Sequence, residues 1–293
     1  MKIGFGGAAL SGDGGGYGFG AIEDPIGLVK DAFERGISLY DTAPIYGYNQ
    51  SEITLGQALK SVREKVEIVS KSGVSWHESK RVNMTNDPVE TQKMLENSLR
   101  NLNTEYIDIY MIHWPDDKVD IRKPLEVLAK AQSVGKIKSI GLCNTYREDL
   151  LKSLEICKIE YIQGESNLFK NFQHGLNNLI TEHQIKTMGW GTFDKGILAG
   201  SVKEDSKFED SDARSWAPWW KKSNWKERVK KAELIEKKIG KSIKDIALQY
   251  SLVANDISLC GVKKRHHLDY VFDMLDQSID QEIISAAVDV ARS

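Results

Sequence analysis

Along the chain, short apolar runs rich in β-branched residues alternate with longer stretches in which apolar residues recur every three or four positions. The short runs fall at Ile3–Gly7, Ile37–Thr42, Val66–Lys71, Tyr106–His113, Ile137–Cys143, Ile159–Gly164, Ile185–Gly191 and Ile257–Val262. They are apolar on both sides of the pleat, as in ISLYDTA, VEIVSKS and YIDIYMIHW, which is the pattern of strands covered on both faces. Between them, Pro25 opens a helical stretch through Arg35. Pro88 opens another, carrying Met94, Leu95, Ser98, Leu99 and Leu102 on one side, and Ser242 begins one with Ile243, Ile246, Ala247 and Tyr250 at helical spacing. Eight strands with a helix after most of them demand a parallel sheet. Eight such units in 293 residues, near the ~250 typical of such barrels, predict an α/β fold: one closed (β/α)8 TIM barrel spanning residues 1–293 as a single domain. The irregular stretch Asp194–Asn224 lies between strand seven and the next helix, and so reads as an active-site loop rather than a linker.

Composition narrows the function classes. With 41% hydrophobic and 28% charged residues the chain is globular, neither disordered nor fibrous. A net charge of −2 gives no electrostatic reason to expect nucleic acid or an anionic membrane as partner. No apolar run reaches the roughly 18 residues a membrane span needs, and MKIGFGGAAL lacks a signal-peptide build. Three cysteines (Cys143, Cys157 and Cys260) with no C-x-x-C predict a reduced, cytoplasmic setting without disulfides or a metal cluster. The sequence carries no signal of oligomeric state. Glycines crowd Gly12–Gly20, yet no position satisfies G-x-G-x-x-G and no P-loop Lys follows, so the cluster reads as a loop after strand one, bordering the mouth.

In such barrels the chemistry gathers at the C-terminal strand ends, where the loops surround one mouth. Strand two ends at Asp41, with Tyr46 five residues later in DTAPIYG; strand three ends at Lys71 and strand four at His113. Strand five runs into Asn144, strand six carries Gln163, strand seven ends near Trp190, and strand eight leads into Lys263, Lys264 and Arg265. Singly, each has an ordinary reading: a satisfied histidine, a buried salt bridge, a loop aromatic. Together they point to chemistry, because polar groups closing apolar strands are costly to bury unpaired. A metal site fits poorly, since His113 is the one good ligand and Lys71 repels cations. A Tyr, a Lys, an Asp and a His together suit proton donation from a phenol: the ammonium favours the phenolate, and the carboxylate fixes the ammonium. Such a site protonates an oxygen that is gaining charge, as in hydride delivery to a carbonyl, and the hydride must come from a cofactor.

These residues resemble the aldo-keto reductase superfamily. GISLYDTAPIYGYNQSEITLGQAL is similar to the family's signature around its catalytic Asp and Tyr. IVSKSG resembles the strand bearing its Lys, SLRNLNTEYIDIYMIHWPD the segment bearing its His, and GKIKSIGLCN the strand that meets the nicotinamide amide. The likeness runs from Ile3 to about Leu275. It implies carbonyl reduction with an NAD(P)H cofactor extended across the barrel mouth. By position, Tyr46 becomes the general acid, Asp41 and Lys71 its tuning pair, and His113 the group that orients the substrate. Asn144 and Gln163, beside Cys143, are expected to hold the carboxamide, and Trp190 to stack on the nicotinamide ring. Gly191, Phe193, Gly196 and Leu198 follow in the stretch expected along the cofactor, with Arg214 a candidate for its pyrophosphate. Lys263, Lys264 and Arg265 match the grip on the adenosine phosphate, which predicts NADPH over NADH.

There are departures. Cys143 stands where Ser is usual, Gly191 where Ser is common, and Val271 where an Asn often reads adenine. Trp76 with its neighbour His77, Trp114 and Trp216 are the candidate substrate contacts. Trp216, Trp219, Trp220 and Trp225 read equally as loop packing or as a substrate wall, and the run Lys226–Lys241 as a solvated helix face. The expected activity is NADPH-dependent reduction of a small aldehyde or ketone, with cofactor bound first. The rivals are a cofactor-binding regulatory protein with little turnover, and a sugar lyase or isomerase using the same four residues.

Overall fold

The computed structural model describes residues 2–12, 22–210 and 212–293. Among them, eight parallel strands pair each with the next: β1 (Lys2–Gly6), β2 (Leu39–Asp41), β3 (Glu67–Ser72), β4 (Ile107–Ile112), β5 (Ile137–Cys143), β6 (Tyr161–Asn167), β7 (Lys186–Trp190) and β8 (Ile257–Gly261). The ring closes where β1 lies beside β8, with Lys2 opposite Ile257 and Phe5 opposite Cys260. The expected (β/α)8 barrel is what forms.

The two-sided apolar pattern has a simple cause. Leu39, Val69, Ile109, Met111, Cys143, Tyr161, Met188, Ile257 and Leu259 face inward and fill the barrel. Their neighbours in sequence, such as Phe5, Tyr40, Ile68, Tyr110, Ile140 and Ile162, face outward into the helical layer. Gly4 is required by this filling: a Cβ there would fall 2.6 Å from Leu39 and 2.7 Å from Leu259.

The surrounding helices are α1 (Pro25–Glu34), α2 (Gln50–Leu59), α3 (Pro88–Asn101), α4 (Arg122–Ser133), α5 (Arg147–Leu154) and α6 (Asn177–Glu182), then the short α7 (Ala213–Trp216) and α8 (Pro218–Lys221). After these come α9 (Trp225–Ile239), α10 (Ile243–Ala254), α11 (Arg265–Leu275) and α12 (Gln281–Arg292). Pro25 and Pro88 sit in first turns capped by Asp24 and Asp87, whose carboxylates accept backbone N–H groups. The basic run after Asn224 is the amphipathic α9, which buries Val229, Ala232 and Ile235 and keeps its lysines outside.

Three sequence expectations shift. Strand two shrinks to Leu39–Asp41, and strand six moves from Ile159–Gly164 to Tyr161–Asn167, where a two-residue antiparallel ladder with Lys170–Asn171 extends it. A hairpin, Val74–Trp76 with Val82–Met84, follows β3 and was not expected. Gly12 lies in a turn with φ +59°, while Gly14, Gly15, Gly16, Gly18 and Gly20 lie outside the described residues.

Candidate active site

At the C-terminal end of the barrel the inward-facing positions change from apolar to polar. Directly beyond Leu39, Val69, Met111 and Tyr161 in the same alternation come Asp41, Lys71, His113 and Gln163. Lys71 is fully buried, and its Nζ donates to Asp41 Oδ2 at 2.7 Å and to the Thr42 carbonyl at 2.8 Å. A buried ammonium is stable only when so paired.

Tyr46 is delivered to this pair by the turn after β2. Its N–H donates to the Ala43 carbonyl at 3.0 Å, and its carbonyl accepts from the Ser51 N–H at 3.1 Å. Gly47, with φ +66°, follows because a Cβ there would lie 2.3 Å from the Ser11 carbonyl oxygen. The Tyr46 ring centroid lies 5.2 Å from Lys71 Nζ and 5.8 Å from the His113 ring, which it meets edge-on at 88°. Burial, reinforced by the Lys71 charge, holds His113 well below the ordinary imidazole pKa, so it is neutral at physiological pH. The four expected catalytic residues therefore converge. A phenol beside an ammonium, with a neutral imidazole at right angles, can protonate and orient one oxygen.

The expected carboxamide holders lie against the same centre. Asn144, at φ +52°, donates through Nδ2 to the His113 carbonyl at 3.1 Å and to Cys143 Sγ at 3.2 Å. Cys143 Sγ donates to Gln163 Oε1 at 3.2 Å, and Gln163 Nε2 donates to Asp41 Oδ2 at 2.7 Å. The thiol thus makes hydrogen bonds at the position where Ser is usual. Trp190 ends β7 half-buried, with Lys195 Nζ 5.7 Å from its ring centroid. Gly191 (φ +79°) and Gly196 (φ +102°) shape the following loop, and a Cβ on Gly196 would crowd Ser201, Val202 and Arg214.

Other expected contacts are placed differently. Leu198 is fully buried in a second core cluster, with Phe193 packed against it, so the Leu198 side chain belongs to the core and not the mouth. Arg214 is locked to Asp212 in a forked pair (2.6 Å) and to the Lys195 carbonyl, which restrains it from simply reaching outward. Arg265 is paired with Asp31 and Asp24 of the α1 region. Val271 of α11 is buried in the main core cluster. Lys264 is exposed, whereas burial, with Arg214 adding repulsion, pulls Lys263 down to about 7.

The tryptophan cluster divides. Trp220 and Trp225 stack at 5.3 Å with Phe208 against them, which is packing, while Trp216 and Trp219 stay exposed. Trp114 stacks near His113 at 6.5 Å and so stands beside the centre, whereas Trp76 meets Tyr48 at 5.4 Å; no contact ties Trp216 to the centre among the described residues. Sequence reading missed Glu165. It lies near the end of the extended β6, in the alternation of Tyr161 and Gln163, and accepts from Lys195 and Lys170 at 2.6 Å each. The alternation Tyr161, Gln163, Glu165 was the available signal.

These residues fit a dinucleotide by donor type: two side-chain amides at strand ends, a half-open indole, glycines with positive φ, and cations crowded at Lys263 and Arg214. The family model described as Aldo/keto reductase family matches residues 2–291. The aldo-keto reductase YhdN of Bacillus subtilis is 30% identical over 266 residues, covering 88% of this chain and 80% of that protein. The NADH-specific methylglyoxal reductase of Escherichia coli is 30% identical over 213 residues, covering 68% of this chain and 65% of that protein. Among solved structures, the glycerol dehydrogenase AKR11B4 from Gluconobacter oxydans superposes with a TM-score of 0.83 at 29% identity, over 98% of this chain and 90% of that one.

Proposed function

The chain belongs to the aldo/keto reductase family, and from that premise we propose that it reduces a small aldehyde or ketone with NADPH, Tyr46 giving the proton. Membership makes it an NAD(P)-dependent oxidoreductase. The observation that carries the finer reading is the fully buried Lys71 ammonium, fixed on Asp41 at 2.7 Å and set beside the Tyr46 ring.

A phenol with its ordinary pKa of ~10 gives up a proton reluctantly at neutral pH. An adjacent ammonium favours the phenolate and so eases the transfer. Tyr46 protonates the carbonyl oxygen as negative charge develops there, while neutral His113 hydrogen-bonds the same oxygen without competing as an acid. Asp41 and the Thr42 carbonyl accept two of the Lys71 N–H groups and so fix the side chain beside the phenol. A bound nicotinamide supplies the hydride. Asn144 and Gln163 suit its carboxamide and Trp190 its ring.

The preference for NADPH rests on Lys263 and Lys264, since Arg265 already has Asp31 and Asp24. A phosphate near Lys263 restores the ammonium that burial and Arg214 depress to about 7. Binding therefore takes up a proton above that pH, and NADPH affinity should weaken by up to about tenfold per pH unit from pH 7 to 9. A cytoplasmic setting belongs to the same proposal, supported by three free thiols.

Stopped-flow mixing with NADPH or NADH and a panel of small carbonyls tests the reading. Nicotinamide oxidation, faster and tighter with NADPH, is expected. A preference for NADH, as named for the E. coli relative, overturns the cofactor choice. No oxidation with any carbonyl overturns the reaction and leaves the regulatory rival.

A further inference from the structure

A single directed chain of hydrogen bonds crosses the barrel. Asn144 Nδ2 donates to Cys143 Sγ (3.2 Å), Cys143 Sγ to Gln163 Oε1 (3.2 Å), and Gln163 Nε2 to Asp41 Oδ2 (2.7 Å). The same Asp41 oxygen accepts from Lys71 Nζ, also at 2.7 Å. β2 and β6 are four strands apart in an eight-strand ring, so the Gln163–Asp41 bond spans the whole interior. Cys143, Gln163, Asp41 and Lys71 are all at least nine-tenths buried, so no bulk water replaces a broken link.

We propose that Gln163, oriented by the Cys143 thiol, is a positioning residue of the acid: its N–H, donated across the barrel to Asp41, sets how strongly Asp41 draws on the Lys71 ammonium, and so how much of that charge reaches Tyr46. The group expected to hold the carboxamide would then also tune the proton donor. This deepens the function proposed above and rests on Tyr46 being that donor.

Lys71 and Gln163 compete for one oxygen of Asp41. A carboxylate that accepts two donors is less basic toward each. Remove Gln163 and Asp41 binds Lys71 more tightly, neutralising it as seen from Tyr46; the phenol then becomes harder to ionise. Cys143 fixes the direction. Gln163 has one oxygen and one NH2, and a thiol proton on Oε1 leaves the NH2 for Asp41. The thiol can serve because burial pushes its pKa up to about 12, which keeps the proton on sulfur. The other titratable groups around the pair are His113 on β4 and, across β3, Glu52 of α2, which accepts from Ser70 and Asn101. Two residues beyond Gln163, Glu165 is occupied by Lys195 and Lys170.

The test reads the phenol directly and needs no turnover. Tyrosine labelled with carbon-13 at Cζ is incorporated, the Tyr46 resonance is assigned with Tyr46→Phe, and its chemical shift is followed against pH by NMR. In Gln163→Leu, and in the less disruptive Gln163→Met, the Tyr46 midpoint should rise by roughly 0.5–1 pH unit. Cys143→Ser, which keeps a donor, should leave it in place. Cys143→Val should move it upward by less than the Gln163 variants do. A Tyr46 midpoint unchanged in both folded Gln163 variants overturns the proposal, as does a Cys143→Ser shift as large as that of Cys143→Val. If the midpoint moves as expected but no carbonyl is reduced, the coupling stands and the reductase reading fails.

Discussion

Each end of the barrel holds a buried carboxylate paired with cations, and the two are built differently. At the N-terminal end, Asp108 accepts from Arg63 (2.7 Å), the Ile68 N–H (2.9 Å) and Lys138 (2.9 Å). Arg63 also reaches Thr104 and the carbonyls of Val66 and Tyr106, and the Tyr106 ring lies 4.1 Å from Arg63 and 4.0 Å from Lys138. Both carboxylate oxygens and most guanidinium protons are used within the structure, which ties β3, β4 and β5 together. At the C-terminal end, Asp41 gives one oxygen to both Lys71 and Gln163, and around them stand a phenol and an imidazole rather than more ion pairs. A saturated network holds the fold; one whose members face a phenol can act on a ligand.

The comparison can be broken experimentally. Tyr46→Phe should lower the reduction rate by about 10³-fold, the scale of a lost general acid, with an unchanged melting curve; steady-state rates beside thermal denaturation would show it. Asp108→Ala should do the reverse. It strands Arg63 and costs about 3 kcal/mol of stability, while the folded fraction keeps its turnover; urea unfolding with activity measured in the folded baseline separates the two. Reduced turnover at full occupancy of the fold would mean that the two ends are not independent.

His113 adds a pH dependence to the top end alone. Its folded pKa is depressed, so the unfolded chain binds the proton first as pH falls below ~6.5, and stability should drop by up to ~1.4 kcal/mol per pH unit there. His113→Gln should flatten that slope in denaturation series from pH 7 to 5. The smallest effect is expected at Trp216, 55% exposed: Trp216→Ala should change stability by less than about 0.5 kcal/mol. A large change would show that α7 is anchored through that ring.

The sequence made the reactive end easier to read than the structural one. Asp41, Lys71 and His113 each close a run of apolar residues, so a change of polarity at the strand end betrays them. Arg63 precedes a strand in polar company, and Asp108 sits near the start of one, where a lone acid between Ile107 and Ile109 does not by itself announce a buried pair. The pairings Arg214–Asp212 and Arg265–Asp31 went unread for a related reason: sequence gives a position along the chain, but which carboxylate a guanidinium meets is set by the fold. Glu165 was missed because β6 runs on to Asn167, held by the short ladder at Lys170–Asn171, which local pattern does not foretell.

The seam between β1 and β8 has a consequence for how the molecule comes into being. Lys2 pairs with Ile257, so of the neighbouring strand pairs the one that closes the ring has the largest loop entropy to overcome, and it can form only after Ile257 has been synthesised. Until then β1 is an open edge, able to pair with another chain. Its sequence KIGFG is short, with glycine at two of five positions, a weak template for such pairing, and Gly4 becomes an asset only when Leu39 and Leu259 close around it. Refolding yield should therefore be more sensitive to protein concentration than native stability is.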